Sequence, residues 1–213
     1  MTIKARQGSQ FYRLAFAKSV PECYQESKHT DAVWRYPLRR ERAPMISEDL
    51  QAAFPLIIGW IRRTLIAHDP YARPVAELGF PRLPRYFSRE LLQSAKVVII
   101  DRAPMPPLSA FGLQRFAEFE RTDPEGITYL DTFFVKHRAA NDEGLYFHEL
   151  IHVVQWRLLG VDRFLAAYAS GLETCGYRNS PLEQMAYTAQ AAFCNSQDPF
   201  DAEAVVAQQL RAV

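Results

Sequence analysis

Tyr146-Phe147-His148-Glu149-Leu150-Ile151-His152-Val153-Val154-Gln155 is the stretch on which the reading of this chain turns. It spells H-E-x-x-H inside a run with the composition of a helix. Residues four apart share a helical face, with Cβ atoms roughly 5–6 Å apart. Two imidazoles so placed can reach one metal ion at about 2.0–2.1 Å, the usual zinc–nitrogen distance. Glu149, one position past the first histidine, projects beside such an ion and can serve as a base toward a bound water.

Three fixed positions are a short motif, and a shuffle of this composition would contain it roughly once in 160 attempts. The surroundings add weight. Tyr146, Phe147, Leu150, Ile151, Val153, Val154, Leu158 and Leu159 make the helix apolar on most sides, so the spacing predicts a buried helix ending near Gly160. Buried polar groups need partners. A metal supplies them; the competing reading is two core histidines with hydrogen-bonded neighbours and Glu149 paired with an arginine.

A catalytic zinc takes three protein ligands and keeps one position open. No histidine follows His152, so the third ligand should be a downstream carboxylate, and the next two glutamates are Glu173 and Glu183. Glu173 lies among small residues near an expected helix end. Glu183 opens a new helix in Ser180-Pro181-Leu182-Glu183, where it also reads as the partner of Ser180 in a capping box, with Pro181 at the first helical position. Periodicity leaves the choice open.

His148-Glu149-Leu150-Ile151-His152-Val153-Val154-Gln155, followed by Ser180-Pro181-Leu182-Glu183-Gln184-Met185-Ala186-Tyr187, resembles the short bacterial zincins of the glutamate-ligand type, which read H-E-L-x-H-V-x-Q and then P-L-E-x-x-A-Y. The resemblance covers roughly residues 127–190 and is specific in these two motifs. It implies a metallopeptidase-like site in which His148, His152 and Glu183 hold zinc, a small sheet against the active helix, and a peptide or protein substrate. It also implies that the edge strand nearest the metal receives an extended peptide.

Composition bounds the rest. A chain of 213 residues, 48% hydrophobic with 14 Phe and 10 Tyr, can bury a sizeable core. A net charge of +1 provides no global field for nucleic acid. Cys23, Cys175 and Cys194 form no C-x-x-C pair, and residues 1–20 have no continuous apolar segment of the signal-peptide kind, which points to reduced thiols and a cytoplasmic setting. The longest apolar run, from Phe54 to Ile61, is too short to cross a membrane.

Along the chain, residues 1–46 read as an extended arm carrying the basic cluster Arg39-Arg40-Glu41-Arg42, and residues 47–213 as one zincin-like domain. Helices are expected at 47–67, kinked or restarted at Pro55, and at 88–95, 161–175, 181–194 and 200–211. Strands are expected at 97–100 and 127–135, with proline-rich loop over 68–87. This order fits an α+β fold. The expected chemistry is zinc-dependent amide hydrolysis with Glu149 as base and Tyr187, Tyr177 or His137 as a hydrogen-bond donor to the developing oxyanion. Carboxylates are expected to orient the histidines, and Gln155 lines the cleft or faces solvent. A non-catalytic metal-binding or protein-interaction module is the alternative; a metal-free partner-binding helical protein is a third.

Overall fold

The computed structural model describes residues 47–195 and 198–211, which fall within one compact unit. The arm expected over 1–46, with its basic cluster, lies outside the described residues. The first helix, α1 (Glu48–His68), turns Leu50, Ala53, Phe54, Ile57 and Ile61 inward, a 3-4 spacing that makes one buried stripe. It runs through Pro55 without interruption, contrary to the expected break. Pro55 and Gln51 are both exposed, so water can satisfy the Gln51 carbonyl that Pro55 has no N–H to reach.

Residues 69–87 consist largely of single 3-10 turns, as the prolines dictate, with a two-residue strand β1 (Arg73–Pro74) among them. Ser88 then caps α2 (Arg89–Ser94), its hydroxyl accepting from the Leu91 N–H at 3.1 Å. Strand β2 (Lys96–Ile100) follows, and a segment of turns with the short α3 (Ala117–Glu120) leads to the second expected strand. That strand is in fact a hairpin, β3 (Gly126–Tyr129) and β4 (Thr132–Lys136), paired antiparallel with Tyr129 opposite Thr132. The turn is Leu130-Asp131, and Leu130 takes φ 59, a left-handed conformation usually left to glycine or asparagine. No turn-forming glycine marks it, which is why an unbroken strand was the natural reading. The Asp131 carbonyl accepts from the Lys96 N–H at 2.8 Å and ties the turn to β2.

The architecture is α+β. The mixed sheet has the order β1-β2-β4-β3, with β2 and β4 parallel and β3 at the edge. Strand β4 is buried along its whole length. Helix α4 (Glu143–Cys175) begins under the Asp142 side chain, which caps it by accepting from the Leu145 N–H. Residues Tyr146 to Trp156 are all buried. Gly160 breaks the helical backbone with φ 71 and ψ 172, dividing α4 into arms 143–159 and 161–175. Helices α5 (Pro181–Asn195) and α6 (Ala202–Leu210) complete the core, α5 through Phe193, which stacks on Phe147 with centroids 4.5 Å apart, and α6 through buried Ala202, Val206 and Leu210. Among the described residues no helix is long and apolar enough to cross a membrane.

Candidate metal centre

The first arm of α4 carries His148 and His152 on one face, and their Nε2 atoms meet at 3.1 Å. Helix α5 brings Glu183 against them, with Oε2 3.4 Å from His148 Nε2 and Oε1 3.6 Å from His152 Nε2. Atoms bound to a tetrahedral zinc at 2.0–2.1 Å lie about 3.3 Å from one another. All three separations are close to that value, the two to Glu183 being made by different oxygens of one carboxylate that reaches both histidines. Among the described residues, His148, His152 and Glu183 are the group of histidine, cysteine and acidic side chains placed to hold a metal, and all three are buried.

Hydrogen bonding decides which nitrogens face the centre. Gln155 is fully buried, and its Nε2 donates to the Leu182 carbonyl at 3.0 Å. That leaves its Oε1 as the acceptor 2.8 Å from His152 Nδ1. His152 thus donates from Nδ1 and presents a bare Nε2 when neutral. His148 Nδ1 has the same kind of partner in Gln190 Oε1, at 3.2 Å. With both Nδ1 atoms so engaged, the two Nε2 atoms and the Glu183 carboxylate converge on one point, where a proton or a metal cation can sit between them. Glu183 Oε2 has no hydrogen-bond partner although it is buried. Burial pulls the His152 pKa down, but the adjacent Glu183 charge outweighs it and raises the value to about 9. Burial likewise pushes Glu183 upward, and the two histidines overturn that and hold its carboxyl well below the usual range. The centre favours a positive charge and fits zinc by donor set and spacing.

Glu149 stands beside this group, 3% exposed. Thr128 on β3 donates its hydroxyl to Glu149 Oε2 at 2.6 Å, and the Thr128 carbonyl accepts from the Trp156 indole N–H at 3.2 Å. A Cβ on Gly126 would lie 2.4 Å from Glu149 Oε1, so only glycine leaves room for this carboxylate against the strand. Burial raises the Glu149 pKa, with the neighbouring histidines and Thr128 opposing it. A carboxylate moved in that direction is a stronger base. The edge strand does lie beside the site, but its Thr128 carbonyl already has a partner. A peptide added there would share that acceptor with Trp156.

Glu173 does not join the centre. It pairs with Arg115 at the surface. Nor does Glu183 close a capping box: the Ser180 hydroxyl has no partner, and Glu183 turns inward instead. Close approach of the two segments depends on Gly171, where a Cβ would sit 2.8 Å from Ser180 Cβ. Three tyrosines surround Glu183. Tyr168 donates to Oε1 at 2.8 Å, and Tyr177 lines the same cavity wall as Glu183. The Tyr187 ring packs on His148 with centroids 4.6 Å apart. Burial first, and the Glu183 charge after it, raise the pKa values of Tyr168 and Tyr177 well above the tyrosine norm, so both remain neutral donors. His137 is exposed 3.8 Å from Asp101 and stands apart from the buried group. The expected orienting carboxylates are replaced by the amides of Gln155 and Gln190.

Sequence reading missed Thr128, Tyr168 and Gln190. Gln190 had a signal, since it lies two helical turns past Glu183 and so on the same face. Thr128 and Tyr168 had none, because they reach the site only through folding. No family model, curated protein or solved structure matches this chain.

A cavity of about 100 Å³ borders the centre, with Glu149, His152 and Glu183 in its wall. Tyr168 and Tyr177 also line it, whereas Tyr187 does not.

Proposed function

We propose that this chain is a zinc-dependent hydrolase of the metallopeptidase kind, cleaving amide bonds in a peptide or protein. The observation that carries the reading is the convergence of the two histidine Nε2 atoms and a buried carboxylate, with a second buried carboxylate beside them on a shared cavity. Zinc in such a site lowers the pKa of water toward about 7 and polarises a carbonyl. His148, His152 and Glu183 would hold it. Glu149 takes a proton from the attacking water and returns it to the departing amine, and Thr128 keeps its carboxylate aimed. Tyr177, neutral and facing the cavity, is better placed than Tyr187 to donate to the developing oxyanion. The zincin resemblance supports the same assignment. Cys175 and Cys194 are both free, in keeping with a reducing, cytoplasmic setting.

The deep burial of all four site residues favours a second reading, a metal that only braces α4 against α5. Such a brace has no use for Glu149 beside the ion. The test is zinc content and peptide hydrolysis of the purified chain and two variants. Glu149→Gln should keep its zinc and lose activity by about 100-fold or more, and Glu183→Ala should lose zinc. Full activity in Glu149→Gln would end the hydrolase reading; undiminished zinc in Glu183→Ala would end the ligand assignment.

A further inference from the structure

The cavity beside the centre is built almost wholly from hydrocarbon. Helix α1 contributes Leu50, Phe54 and Ile57, the segment before β3 contributes Leu113 and Phe116, and the second arm of α4 contributes Leu172. Its acidic groups are already engaged, Glu149 by Thr128 and Glu183 by Tyr168 and the histidines. Among the described residues, nothing in that wall offers a free counter-charge to a lysine, arginine, aspartate or glutamate side chain, and burying one unpaired is costly. Size narrows the occupant further. An apolar cavity of about 150 Å³ takes a benzene ring, and this one measures about 100 Å³. That is room for one branched aliphatic side chain, or for one ring once the surrounding side chains give slightly, and too little for a long acyl chain.

Resting on the hydrolase reading, we infer that the site selects an amide bond flanked by a single large apolar residue, phenylalanine, leucine or methionine, whose side chain fills this cavity. Recognition comes from that pocket more than from strand addition at β3, where Trp156 already occupies the Thr128 carbonyl.

The test uses the full chain with two readouts. The first is hydrolysis by the zinc-loaded protein of blocked peptides that differ at one position on either side of the scissile bond. Phenylalanine or leucine at one of those positions should exceed alanine by roughly 100-fold in kcat/KM, and lysine or glutamate should be rejected. The second is calorimetric binding of N-acetyl-phenylalanine amide to the metal-free protein, which needs no catalysis. Ala169, in the same wall, serves as the plug: Ala169→Phe should weaken this binding at least about tenfold while zinc content is retained. Leu172→Ala, which enlarges the cavity, should shift preference toward tryptophan and shows that the effect is not misfolding. Binding that Ala169→Phe abolishes, in a protein without hydrolysis, supports the pocket and refutes the enzyme. Hydrolysis indifferent to the flanking residue, with no binding of the amide, refutes the pocket and leaves the enzyme standing.

Discussion

At Gln155 one side chain does two jobs that depend on its being an amide. Its nitrogen holds the Leu182 carbonyl at the start of α5, and its oxygen holds His152 Nδ1. The first bond positions the helix that carries Glu183, and the second fixes which imidazole nitrogen faces the centre. Removing a partner of this kind usually lowers metal affinity by about 10–100-fold. We expect Gln155→Leu, close in volume, to weaken zinc binding by about that factor in competition with a chelating dye, while Glu149 and the three ligands are untouched. Unchanged affinity would mean that packing alone orients His152. The same scale shows why Glu183 is the candidate ligand: its carboxylate meets both histidines, whereas Glu173 is held at the surface by Arg115.

At the level of the element, the break at Gly160 turns α4 back toward its own first arm. Phe164 stacks on Trp156 with centroids 3.7 Å apart, and Tyr168, one turn further on, reaches Glu183. The backbone values, φ 71 and ψ 172, lie in a region open essentially to glycine. A Cβ there would touch nothing, so the penalty of substitution comes from the backbone alone. Gly160→Ala should therefore destabilise the protein by about 1–3 kcal/mol in denaturant unfolding and lower zinc affinity as Tyr168 is displaced. A neutral result would show that α4 can be straight without loss. Gly160 as a helix stop and the helix at 161–175 after it were legible in the sequence; that this second arm lies over the site was not. The β3–β4 hairpin escaped notice for a related reason, since its turn relies on Leu130, whose side chain gives no turn signal.

Across the whole molecule, Arg115 ties together the parts that wall the cavity. Its guanidinium meets Asp49 at the start of α1, Ser47 beside it, and Glu173 in the second arm of α4. The Arg115 hydrogen bond, with Ser47 adding to it, lowers the Asp49 pKa to about 2. A depressed carboxylate pKa contributes stability that is present above the unfolded value, about 3.9, and lost as pH falls through the folded one. Wild type should therefore melt higher than Asp49→Asn at neutral pH, and the gap should close as pH drops from 4 toward 2. A gap that persists at pH 2 would assign the difference to something other than this ion pair.

Some of this protein was decided locally and could be read from the chain alone. The four-residue spacing of His148 and His152 places two imidazoles on one helical face wherever that helix sits, because the α-helical repeat is rigid. The surrounding apolar residues required the helix to be buried, and the caps and prolines marked most element ends. Tertiary structure decided what local geometry leaves undetermined: which glutamate completes the centre, which amides and hydroxyls orient it, and that an apolar cavity lies beside it. Those features bring together residues from a strand, three helices and the segment before the strand that are far apart in sequence. Such contacts are set by how the buried faces of the elements pack, and no spacing within one element encodes that.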